Sequence, residues 1–325
     1  MGMGLFSRVI RGVAAGLLAC LAACGEDGDD PLMVGTNIWP GYEPFYLAEA
    51  RGLISPDDVR LVQMSSTSEV IRAFRNQVIP VAAVTLDEAL LMVSEGLPIK
   101  VVLAIDTSAG GDVILAKPPL SRMEDLRGHR VGVEAGALGA FMLCRAAELH
   151  NLDCKRDLVS VDLEVNEHET AFRKGVVDAV VTFEPVRSRL LAEGALPLFD
   201  SREIPNEIVD VLVVRADIAE RRRGQLKKLL TGWFGALAYM RAEPMAAAMI
   251  MARREDLSGE QFLAALAGLH IPDRAENLTL LGGGQPVLGQ TAPALIKIMV
   301  QHGLLPSPLD LTGILAPQLI ESLPP

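Results

Sequence analysis

Basic residues are in short supply in this chain: 30 Lys and Arg stand against 41 Asp and Glu, for a formal charge of −11. That balance argues against a nucleic-acid partner, whose affinity rests on neutralising phosphates with Lys and Arg. Long apolar runs are also missing. The run over residues 13–23 falls short of the roughly 20 residues that a membrane-spanning helix needs. There is no phosphate-binding P-loop, no His-Glu-x-x-His zinc motif and no Gly-x-Ser-x-Gly nucleophile elbow. The five histidines, His129, His150, His168, His270 and His302, are dispersed, and none forms a spaced set with cysteine. No metal centre, no cofactor and no enzymatic activity is therefore expected. His168, within Asn166-Glu167-His168-Glu169, reads as part of a solvated helix start.

What is present begins at the N-terminus. Arg8 and Arg11, a short apolar stretch and small residues at its end make the pattern of a signal peptide over residues 1–23. Leu21-Ala22-Ala23-Cys24 matches the bacterial lipobox, in which Cys24 is lipidated and becomes the first residue; the alternative is an ordinary cleavage site that contains a cysteine. Gly25-Glu26-Asp27-Gly28-Asp29-Asp30 has no apolar side chain to give to a core and reads as an acidic tether over residues 24–30. Removing residues 1–23 takes away two positive charges and no acid, so 302 residues remain with a formal charge of −13. Half of the residues are hydrophobic, and a body of this length is expected to form two domains. Cys144 and Cys154 stay behind in an oxidising compartment, where they either pair as a disulfide or lie separately buried as thiols.

The body reads as α/β, with apolar runs bounded by turn residues alternating with segments of helical period. Strands are expected near residues 33–38, 59–64, 81–84 and 99–105, then 130–134, 158–161, 179–182 and 196–199. Helices are expected near 43–51, 68–74 and 86–94, then 138–150, 167–173 and 185–193, with a largely helical tail from Ala216. The series Ala73-Phe74-Arg75, Val78-Ile79 and Ala82-Ala83-Val84-Thr85 recurs as Ala171-Phe172-Arg173, Val176-Val177 and Val180-Val181-Thr182, which suggests two similar lobes. Extended segments at 112–116 and 208–214 fit crossings between them. The lobes then span residues 31–114 with 208–325, and residues 115–207, each a parallel-dominated sheet with flanking helices.

In such sheets ligands bind beyond the carboxyl ends of the strands, where helix N-termini present unpaired N–H groups. That rule selects Trp39 and Tyr42, Ser65 and Ser66, Thr85, Asp112, Glu134 and Gly136, and Thr182 and Glu184 as ligand-binding candidates. Each has a plainer reading: core closure for the aromatics, helix capping for the hydroxyls, a first-turn acid for Glu184. Acids dominate these loops (Glu43, Asp87, Asp106, Asp112, Glu134, Glu184) and Arg and Lys are missing from them, which tilts the expectation toward a ligand with an amine or cationic part.

Taken together, the chain resembles the nitrate/sulfonate/taurine class of ABC-transporter solute-binding proteins, which shares its fold with thiamin-precursor binding proteins. The resemblance is carried by Gly35-Thr36-Asn37-Ile38-Trp39-Pro40-Gly41-Tyr42-Glu43-Pro44, Ser65 to Glu69, Leu126-Arg127-Gly128-His129-Arg130-Val131-Gly132-Val133 and Val181-Thr182-Phe183-Glu184-Pro185. It implies a type II periplasmic-binding fold with two hinge crossings and a small-molecule ligand clamped between the lobes. It also implies delivery to a permease driven by a separate ATPase, by a monomer whose contact with the membrane is its lipid anchor. Two rivals use the same body: a sensor that reports a ligand without importing it, and a protein of envelope or lipid trafficking. Thiamin-pyrimidine synthases are similar in fold but depend on a cysteine-rich motif that this sequence lacks.

Overall fold

The structure, a computed structural model, describes residues 30–324. The expected leader, the lipidation site Cys24 and the tether up to residue 29 lie outside the described residues. The chain opens with β1 (Leu32–Thr36), β2 (Val59–Gln63), β3 (Val81–Thr85) and β4 (Ile99–Ser108), separated by α1 (Glu43–Ala50), α2 (Thr67–Arg75) and α3 (Leu86–Ser94). A second series follows: β5 (Val113–Ala116), β6 (Arg130–Val133), β7 (Val159–Asp162), β8 (Ala179–Thr182) and β9 (Leu196–Asp200), with α4 (Leu138–Leu149), α5 (Val165–Lys174) and α6 (Val186–Ala192). The chain returns as β10 (Val209–Arg215). It ends in α7 (Ala216–Arg221), α8 (Arg223–Ala242), α9 (Pro244–Glu255), α10 (Gly259–Leu266), the short β11 (Leu269–His270), α11 (Arg274–Leu281), α12 (Val287–Gln301) and α13 (Gln318–Glu321). Among the described residues no helix is long and apolar enough to cross a membrane.

Two sheets result, in the orders β11-β4-β10-β3-β1-β2 and β7-β6-β8-β5-β9. Setting β11 aside, the two orders are the same, with β6, β7, β8 and β9 in the places of β1, β2, β3 and β4. In each, one strand contributed by a crossing of the chain runs against its neighbours: β10 lies antiparallel between β3 and β4, and β5 antiparallel between β8 and β9. As expected of parallel-dominated sheets, β1 to β4 point one way in the first sheet and β6 to β9 one way in the second. Both sheets are mixed, because each crossing strand enters from the opposite end and makes two antiparallel ladders, leaving parallel only β1 with β2 and β3, and β6 with β7 and β8.

The packing follows from the sequence. Every residue of β3 and of β8 is buried, as expected of short apolar strands covered on both faces. Long helix α8 lies over α1, where Trp233 meets Phe45 with ring centroids 4.3 Å apart. Gly232 permits that approach, since a Cβ there would stand 2.3 Å from Ile54. Buried Asn277 in α11 accepts from the Ala104 N–H at 2.8 Å and donates to the Ala104 carbonyl at 3.1 Å, tying the helical tail to β4. Cys144 and Cys154 are joined by a disulfide, their Cα atoms 4.9 Å apart.

Candidate functional site

The carboxyl ends of β1, β3, β6 and β8 open toward one cavity between the two sheets. Because β10 runs the other way, its beginning reaches the same place, and Asp210 pairs there with Thr85 of β3 and Asp106 of β4. Six of the candidates chosen from the sequence line the cavity: Trp39, Tyr42, Thr85, Asp112, Glu134 and Thr182. The space inside is about 30 Å³. Side chains from both sheets fill the rest.

Trp39 sits across the middle. Its ring meets Phe183, beyond β8, edge to face with centroids 5.4 Å apart, and its indole N–H donates to Asp106 at 3.0 Å. Gly41 makes room for that bond, as a Cβ there would lie 1.9 Å from the Asp106 carboxylate. The Tyr42 hydroxyl donates to Asp210. Asp106 lies close enough to act on Asp210, and Asp112 on both. Burial pushes the Asp106 carboxyl up to about 7, against its bond from Trp39. The same cause takes Asp112 to about 7 and Asp210 well above the carboxylate range.

Two further carboxylates join the halves. Glu88, in the first turn of α3, accepts from the Thr85 N–H at 2.8 Å and, across the cavity, from the Leu138 N–H at the start of α4 at 2.9 Å. Glu134, following β6, accepts from the Ser68 N–H at the start of α2 at 2.6 Å. Each half thus sends a carboxylate to a helix N-terminus of the other, where the dipole and unpaired N–H groups favour negative charge. Burial, reinforced by Asp87, raises Glu88 to about 8, and burial raises Glu134 as well. Glu164 adds a third link, accepting from Ser66 Oγ at 3.1 Å and from Arg72 at 3.2 Å.

The other candidates lie off the cavity wall. Ser65 is engaged by Glu69 through both its N–H and its hydroxyl, and Ser66 caps α2 by accepting from the Glu69 N–H. Gly136 is exposed in a turn at φ +74°, with nothing within 4 Å of the Cβ position. Glu184 faces away, held by Arg187 and by the N–H and hydroxyl of Ser188, beside a separate hollow of about 180 Å³ that Gly110 and Arg202 also line. Its place in the repeated series puts it after Thr182 but turned to the opposite side.

Sequence reasoning missed Asn37, Glu88, His168, Phe183 and Asp210, all on the cavity wall. Two carried signals: Thr85 and Glu88 have the spacing of a capping box, and Asp210 is an acid inside an otherwise apolar strand. The reading of His168 as solvated is corrected. It is 2 % exposed, and burial holds its imidazole down at about 4. Its Nε2 lies 3.1 Å from the Leu163 carbonyl, which requires the proton there; Nδ1 then accepts from the Thr182 hydroxyl at 3.3 Å.

Residues 25–254 match the model of the NMT1-like family. The chain belongs to the NMT1-like family. No curated protein matches it. Among solved structures, this NMT1-like chain is similar to the periplasmic aliphatic sulphonate binding protein SsuA from Escherichia coli, at 18 % identity over 89 % of this chain and 92 % of that one, with a TM-score of 0.70. The ligand-binding component of an ABC-type import system from Staphylococcus aureus is similar at 14 % identity, 91 % and 99 % coverage and a TM-score of 0.74. The desulfurization enzyme DSZB also shares the fold, at 18 % identity, 90 % and 98 % coverage and a TM-score of 0.63. The matched segment of this NMT1-like chain contains every residue that lines the cavity.

Proposed function

We propose that this NMT1-like protein is a periplasmic solute-binding lipoprotein. It captures a small organic molecule between two lobes, residues 31–114 with 208–325 and residues 115–207, and delivers it to an ABC permease powered by a separate ATPase. The observation that carries this reading is the cavity itself, walled from both sheets at the carboxyl ends of their parallel strands and bridged by Glu88 and Glu134. Such a site closes by a hinge motion that solute contacts on both sides would bias. The Escherichia coli and Staphylococcus aureus proteins of like fold are named for binding and import, which supports the role. In this reading residues 1–23 direct export, lipidated Cys24 supplies the only hold on the membrane, and the protein acts as a monomer that returns its solute unaltered.

Native mass spectrometry of the protein isolated from cells tests the reading, together with uptake assays in a strain lacking it. The expected result is one small molecule bound per chain, released intact on denaturation, and uptake of that molecule lost in the strain. A bound molecule with uptake unchanged points instead to sensing. A released molecule that differs from the one supplied points to chemistry of the kind that DSZB represents. An empty protein and unchanged uptake overturn the proposal.

A further inference from the structure

Nothing lining the cavity among the described residues is Lys or Arg, whereas Glu88, Asp112, Glu134 and Asp210 all do, with Asp106 behind Trp39. Acidity alone would say little. The state of the individual oxygens says more. Asp112 is 2 % exposed and its Oδ2 has no hydrogen-bond partner; Asn37 is 4 % exposed, and its Oδ1 is also without one while its amide nitrogen donates to the Ile38 carbonyl. Buried acceptors left unpaired are costly, and both of these stand on the cavity wall. Two helix N-terminal donors that would attract an anion are already engaged, the Ser68 N–H by Glu134 and the Leu138 N–H by Glu88. The aromatic surfaces of Trp39, Tyr42 and Phe183 complete the wall, and ring faces attract cations.

Resting on the solute-binding reading above, we propose that the solute is a small organic cation, an ammonium or amidinium whose N–H groups are received by Asp112 and Asn37. Glu88 and Glu134, by holding the two helix N-termini, exclude carboxylates and sulfonates. The positive charge relieves the repulsion within the group formed by Asp106, Asp112 and Asp210, a compensation that neither a neutral solute nor an anion provides.

Calorimetric titration of the purified protein with matched probes tests this. One set is benzylammonium, benzyl alcohol and benzenesulfonate; a second is propylammonium, propanol and propanesulfonate; guanidinium and acetamidinium stand alone. At least one cation should bind at least about tenfold more tightly than its neutral partner, the size expected of a charge-assisted hydrogen bond, and the sulfonates should not bind. Asp112→Asn should remove that preference while the unliganded melting temperature stays the same or rises. The double variant Glu88→Ala, Glu134→Ala, which frees both N–H groups, should admit the sulfonates that the native protein rejects. Equal or tighter binding of an alcohol or a sulfonate by the native protein overturns the cation proposal and leaves the solute-binding reading standing. Cation binding untouched by Asp112→Asn overturns the assignment, and continued rejection of sulfonate by the double variant overturns the exclusion role. Where no probe binds, the charge of the molecule carried out of cells decides: a cation supports the proposal, an anion or neutral molecule overturns it, and an empty protein overturns both readings.

Discussion

The two sheets repeat one strand order yet bring different chemistry to the cavity between them. The first contributes acids: Asp106 from β4, Asp112 from the link into β5, Asp210 from β10 and Glu88 from α3. The second contributes the His168–Thr182 pair, the ring of Phe183 and one carboxylate, Glu134. Thr85 and Thr182 end the matched strands β3 and β8 and both face the cavity, so the repeat fixes where a strand end sits. Most of the charge comes from somewhere else, namely the two passages where the chain leaves the first sheet and returns to it. A repeated scaffold can therefore carry an asymmetric site, provided the asymmetry is confined to its crossings.

The largest test of that comparison is in the repeat. Phe74 and Phe172 hold matching places, but Phe74 is fully buried in the larger core, whereas Phe172 belongs to a small cluster and lies under Lys117 at 5.2 Å. Phe74→Ala should cost about 3–5 kcal/mol of unfolding free energy, and Phe172→Ala clearly less, measured by urea denaturation. Equal costs would mean that the halves are more alike in energetics than in packing. Gly41→Ala comes next. The new methyl group displaces the Asp106 carboxylate from Trp39, at about 1–3 kcal/mol, and the emission of Trp39 should change. Unchanged emission would show that the indole does not depend on Asp106.

Smaller effects come with pH. Asp106 and Asp112 stand near 7 in the folded chain against an ordinary 3.8. A raised carboxyl gives stability that is complete below its unfolded value and is lost as pH rises through its folded one. Asp178, held down at about 2 by Arg130, acts the other way and only in stronger acid. The melting temperature of the unliganded protein should thus fall between pH 5 and 8, on the order of a few degrees, and fall less in Asp112→Asn. A rise over that interval would place the acids in water. The smallest effect is expected on the second sheet's side, where His168, held down at about 4, should show no imidazole titration by NMR above pH 5. A midpoint near the ordinary 6.5 would return His168 to solvent and remove its hold on Thr182.

Much of the fold was legible because strand and helix periods are local. Residues 179–182 are a strand as expected, and Phe74 and Phe172 mark true repeats of the sheet order. Strand direction was not legible, since residues 112–116 and 208–214 read only as extended, and nothing local says that they run against their neighbours. The two-residue β11 is too short to leave a pattern. In the site, six residues at or near strand ends were found; Glu88 and His168 on helices and Asp210 on an antiparallel strand were missed, as were Asn37 and Phe183, which directly follow β1 and β8. Glu88 looked like a cap and is also a bridge, His168 looked solvated because acids flank it, and Glu184 is turned away by Arg187 and Ser188.

The order β4-β10-β3 has a consequence for how the chain is born. Until residues 209–215 have emerged, β3 and β4 have no edge in common, and the first sheet exists only as two unjoined pieces. The second sheet is built from one continuous stretch, β5 to β9, and is complete earlier in synthesis. A nascent chain paused just past β9 carries its later half finished and its earlier half waiting.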